Sequence, residues 1–70
     1  MSAQQLQRMS LHYGRNGFND VGDALAVASE CARRGDVLGR EAWIDSAIDK
    51  LNRNKLSVPY ALSTAYDAAA

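Results

Sequence analysis

His12 and Cys31 are the only histidine and the only cysteine in the chain, and together they bound the chemistry it can do. General acid–base work needs a partner that orients the imidazole, and hydrolytic metal sites need several ligands. Neither is visible in the sequence near His12, so a surface or boundary position is expected. A nucleophilic Cys31 would need a stabilised thiolate. Arg33 and Arg34 would help slightly, but Cys31 lies on an apolar stripe near the C-terminal end of a helix, where the dipole opposes negative charge. A buried structural cysteine is expected instead. With one cysteine, no disulfide forms within a chain, and no Cys/His set is present to hold a structural metal.

Asp45 and Asp49 are one helical turn apart. Two carboxylates alone fall short of the ligand set a hard cation needs. Arg53 follows Asp49 by one turn and Arg40 and Glu41 precede Asp45, so a solvated charged face is expected, with contact to a basic partner surface as its functional use. No catalytic, cofactor-binding or metal residue emerges. Arg34-Gly35-Asp36 spells a cell-adhesion tripeptide, which a helix-ending glycine explains. Gly14-Arg-Asn-Gly17 has the spacing of a phosphate-binding turn, but no strand precedes it and no lysine follows in the required place. It reads as a turn. Trp43, Tyr60 and Tyr66 flank apolar stripes; such aromatics serve as core lids or, beside an arginine such as Arg40, as interface anchors.

The elements that must position these residues are helical. Leu6, Met9 and Tyr13 share one face of a first helix from Ala3 to Tyr13. Gly14 to Gly17 then makes a turn suited to positive φ. Asn19 or Asp20 can N-cap a second helix, with Asp20 and Asp23 near its positive end. Its apolar face is Val21, Ala24, Leu25, Ala28, Cys31 and Ala32, and Gly35 closes it. A third helix runs from about Arg40 to Asn52, or from a cap at Asp36, and places Ile44, Ala47, Ile48 and Leu51 on one stripe. Ser57 can cap a fourth helix with Pro59 in its first turn, and Leu56 can pack on Ala61 as a hydrophobic staple. Val58, Leu62 and Ala65 face inward there, with Tyr60 and Tyr66 on the flanks. The inward alanines of the last three helices favour close packing of helix axes.

Composition narrows the partners. Eight basic residues balance eight acidic ones in 70 residues. The basic excess that releases counterions from nucleic acid is therefore absent globally, although Arg33, Arg34 and Arg40, with Lys50, Arg53 and Lys55, leave a local patch to consider. No apolar run is long enough to span a membrane, and the opening residues lack a hydrophobic signal core. A cytoplasmic protein is expected. A chain this short has a small core, which favours a dimer or a partner that completes it.

A helix-turn-helix is the rival arrangement of the second and third helices, with Arg40 as a base reader at the start of the third. Ser46-Ala-Ile-Asp49-Lys-Leu51, followed by Asn54-Lys-Leu56 and a proline-bearing last helix, loosely resembles the Hha-type modulators of nucleoid proteins over about half the chain. That likeness needs a gap between its two pieces, and the basic balance of the family is missing here. It implies a small helical protein acting on a DNA-organising partner, with Asp49 as the acidic contact.

The expectation is an all-α fold, a small compact bundle of three main helices plus a short N-terminal helix, forming a single helical domain over residues 1–70. The expected function is non-enzymatic: binding a larger protein and modulating or inhibiting it, in the manner of accessory proteins of phages or mobile elements. The expected contact residues are Arg40, Trp43, Asp45, Asp49, Tyr60 and Tyr66. A larger protein or a second copy is the expected partner, with no membrane, cofactor or small-molecule substrate. The alternative is a small dimeric DNA-binding or nucleoid-associated transcriptional modulator.

Overall fold

Ser2 starts the first helix with a reciprocal cap. Its Oγ accepts from the Gln5 N–H at 3.2 Å, and the Gln5 Oε1 accepts from the Ser2 N–H at 2.9 Å. This capping box satisfies two donors that an uncapped helix leaves open. In the computed structural model, which describes residues 1–63, three helices follow from it: α1 (Ala3–Arg15), α2 (Asn19–Arg33) and α3 (Val37–Arg53). A further helical segment opens at Tyr60 and runs to the last described residue, Ser63. No strand occurs among the described residues, so the all-α class holds.

All three helices end in the same way. The N–H of Gly17 bonds to the Gly14 carbonyl and that of Phe18 to the Tyr13 carbonyl; Gly35 to Ala32 and Asp36 to Cys31; Lys55 to Asn52 and Leu56 to Leu51. These are Schellman motifs, each needing one residue in the left-handed region. Gly17 (φ 87°) and Gly35 (φ 74°) supply it at no steric cost, as their glycines suggest. At the third site the residue is Lys55 (φ 59°), which nothing in the sequence marks.

The starts of the later helices correct the sequence reading. α2 is capped at Phe18, with no side-chain cap bond, so neither Asn19 nor Asp20 is its N-cap. Phe18 is already fixed as the closing residue of the α1 motif, which leaves no room for a polar cap. Asp20 lies in the first turn of α2 and bonds instead to the Asn54 Nδ2 at 3.1 Å. For α3, Asp36 is the true cap, accepting from the Gly39 N–H at 2.9 Å, and the helix begins at Val37 rather than near Arg40. Ser57 does not cap the last segment: helix begins at Tyr60, and the Pro59 carbonyl accepts from Leu62 and Ser63. Pro59 therefore precedes the helix.

α2 is the central element. α1 and α3 each pack along it, and no Cα pair between α1 and α3 comes within 8 Å. Both pairs are antiparallel, as the cross-links at their two ends show. Ser29 Oγ donates to the Ala3 carbonyl at 2.7 Å at one end of α1–α2, and Ser10 Oγ to the Gly22 carbonyl at 2.6 Å towards the other. Gly22 sets the closest approach: a Cβ there would stand 3.0 Å from the Ser10 carbonyl oxygen and 3.3 Å from the Gly14 nitrogen. The small residue that admits α1 is thus a glycine within a helix, beside the alanines.

The core is Leu6, Val21, Ala24, Leu25, Ala28, Ile44, Ala47, Leu51 and Leu62. Ile48 is half-buried against it, as are Ala32 and Leu56, while Ala61 is exposed. Cys31 is half-buried, not buried: it sits where α2 ends and its neighbours no longer enclose it. Ala65 and Tyr66 lie outside the described residues.

Candidate functional site

α3 carries four of the six expected contact residues, and helix geometry divides them between faces. Successive residues turn by about 100° about the axis. Arg40 falls in the same sector as the buried Ile44, Ala47 and Leu51, and Trp43 lies about 60° from it, on the flank. Arg40 is half-buried, and its Nε is shielded from solvent without a hydrogen-bond partner. Trp43 is 39% exposed. Asp45 and Asp49 lie about 120–160° around the helix from Trp43, on the outward side, and both are exposed. The structure therefore brings Arg40 and Trp43 together and holds the two carboxylates on a different face. Tyr60 is 83% exposed; Tyr66 lies outside the described residues.

Apolar side chains that periodicity did not single out stand near this site. Val37 and Leu38 open α3, and Leu38 is 80% exposed. With Trp43 they place three of the six exposed large apolar side chains among the described residues (Leu11, Val27, Val37, Leu38, Trp43 and Tyr60) within the first seven residues of one helix. The usable signal was Asp36 as a cap: starting the helix there makes Val37 and Leu38 helical and leaves Leu38 on the outward side.

The local basic patch is broken up. Arg33 and Arg34 both pair with Glu30 at 3.4 Å, and Arg33 also donates to the Gln7 side chain. Lys50 Nζ donates to Ser46 Oγ at 2.8 Å, and Arg53 pairs with Asp49 at 2.7 Å, the one-turn spacing expected. The α2–α3 pair also differs from a helix-turn-helix, whose helices cross steeply. Asp20 meets Asn54 at one end, and at the other a Cβ on Gly39 would stand 3.0 Å from Cys31 Sγ, so the helices stay together along their length.

His12 is exposed, with its ring edge-on to Tyr13 at a centroid distance of 5.2 Å. Burial pushes the Tyr13 phenol above its ordinary value of 10.0, so it keeps its proton throughout the neutral range. Among the described residues no three His, Cys, Asp or Glu side chains gather as a metal site, and no helix is long and apolar enough to cross a membrane.

α1 presents a face that the sequence reading passed over. Its outward side carries Arg8, Leu11, His12 and Arg15, all exposed, and the first carboxylate of the chain is Asp20. Beside it, Ser10, Leu11, Gly14, Arg15, Asn19, Gly22 and Asp23 line a shallow groove where the two glycines let α1 and α2 close up. The whole chain matches no known protein family, no curated protein and no solved structure. The likeness to the Hha-type modulators finds no support there.

Proposed function

We propose that this chain is a non-enzymatic, cytoplasmic protein that docks on a larger protein and modulates or inhibits it by occupying its surface. The observation that carries this reading is the row of Val37, Arg40 and Trp43 at i, i+3 and i+6 in the first turns of α3, with Val37 and Trp43 exposed. Large apolar side chains held in solvent together mark interaction surfaces, and tryptophan and arginine dominate interface energetics. The DNA-binding alternative has less behind it, because Arg33, Arg34 and Arg53 already face carboxylates and the formal net charge is zero.

Trp43 is the only tryptophan, so its fluorescence reports this surface directly. The partner captured from a native lysate, once purified, should shift Trp43 emission on titration. Val37→Ser and Trp43→Ala should each weaken its affinity roughly tenfold or more, as expected for anchors worth over about 1.4 kcal/mol. The variants should keep wild-type helical circular dichroism. Equal binding by both variants, or no stoichiometric partner, would defeat the reading. A salt-sensitive mobility shift on duplex DNA would favour the alternative.

A further inference from the structure

We propose that the outward face of α1 docks on the outward face of α3 in a second copy of this chain. This goes beyond the function proposed above and uses different faces of the molecule. Arg8, His12 and Arg15 stand at i, i+4 and i+7 along α1, with the half-exposed Leu11 between them. α1 contains no carboxylate, and none of these three side chains is ion-paired among the described residues.

Glu41, Asp45 and Asp49 stand at i, i+4 and i+8 along α3, next to the exposed Leu38. Like charges one turn apart are unfavourable within a helix, and among the described residues only Asp49 of the three is ion-paired, with Arg53. The basic ladder extends about 10.5 Å along its axis and the acidic ladder about 12 Å, so the charges can face one another along two apposed helices.

They cannot do so within one molecule. The α1 and α3 backbones are separated by α2; Arg8, His12 and Arg15 face outward, and so do Asp45 and Asp49, with Glu41 half-buried at the edge of their face. A second copy supplies each face with its complement, and Leu11 and Leu38 add apolar area at the contact. Asp23, which lines the groove beside Arg15, keeps the attraction modest. Exposed ion pairs are individually weak and are screened by salt, so the association is salt-sensitive.

Sedimentation velocity over a concentration series, up to on the order of 1 mM, tests this. At about 10 mM salt, where the screening length is about 30 Å, the average mass should rise above the 7.6 kDa monomer. At about 1 M salt, where that length is about 3 Å, it should return to monomer. Arg8→Glu with Arg15→Glu should abolish association, and so should Asp45→Lys with Asp49→Lys. Mixing the two double variants should restore it, because each then offers the face the other lacks.

All four positions are exposed, so helical circular dichroism should be unchanged. If a double variant unfolds, Arg15→Glu and Asp45→Lys alone carry the same test. A wild type that stays monomeric at low salt overturns the proposal, as does association that survives the charge reversals or a mixture that stays monomeric. Trp43→Ala should leave self-association intact, which separates this surface from the docking site on α3.

Discussion

Lys55 occupies a backbone position that the chain elsewhere gives to glycine. Gly17 and Gly35 close α1 and α2 in the left-handed region, and Lys55 does the same for α3 at φ 59°. A side chain there costs roughly 1–2 kcal/mol, of which the greater freedom of unfolded glycine offsets about 0.4–1 kcal/mol. Lys55→Gly should therefore stabilise the protein by about 0.5–1 kcal/mol and raise the thermal midpoint by a few degrees, measured by circular dichroism. A midpoint that falls would show that Lys55 makes a compensating contact. Gly17 and Gly35 were legible as turns because glycine announces positive φ. Lys55 was not, since Asn52-Arg-Asn-Lys55 looks like any polar run. Cys31 was placed too deep for a similar reason: periodicity names the face a residue lies on but not how far its neighbours extend beyond it.

At the scale of elements, helix identity was legible, and so was the α1 start at Ala3; the α2 start was not, and α3 was left with two possible starts. The apolar spacing of Ile44, Ala47 and Leu51 required a helix whatever its first residue. The start depended on whether Asp36 could serve two motifs at once, closing α2 through its N–H and capping α3 through its carboxylate. Phe18 likewise closes α1 through its N–H and takes the N-cap position of α2, though without a side-chain bond, which is why Asn19 and Asp20 lost the cap. Gly22 shows the opposite limit. Within a helix glycine is an unfavourable residue, and only its approach to Ser10 and Gly14 explains it. Gly22→Ala should gain about 1 kcal/mol of helix propensity and lose more to the forced separation of α1 and α2. The expected net is about 1–2 kcal/mol of destabilisation in urea unfolding. A more stable variant would mean that the helices can part without cost.

At the scale of the molecule, stability rests on a narrow base. Among the described residues six large aliphatic side chains are buried: Leu6, Val21, Leu25, Ile44, Leu51 and Leu62. Leu62 comes from the segment after α3 and is 0% exposed, so the chain returns to complete a core that α1 and α3 do not close between themselves. Leu62→Ala should cost about 2–5 kcal/mol, a large part of the total expected for a domain of this size. Thermal or urea unfolding should show a much lower midpoint; an unchanged one would show that the segment is dispensable.

The sequence by itself determined that the chain is helical, where its apolar stripes run, and that Arg53 answers Asp49 one turn away. Those features depend on neighbours three or four residues apart, which local spacing specifies. Tertiary structure decided the rest: that α2 is central, that Gly22 admits α1, and that Leu62 fills the core. It also half-buried Arg40 and left Val37 and Leu38 exposed, and set the acid-free face of α1 apart from the carboxylates of α3. Each of these depends on which helix stands beside which, and residues distant along the chain acquire that relation only by packing.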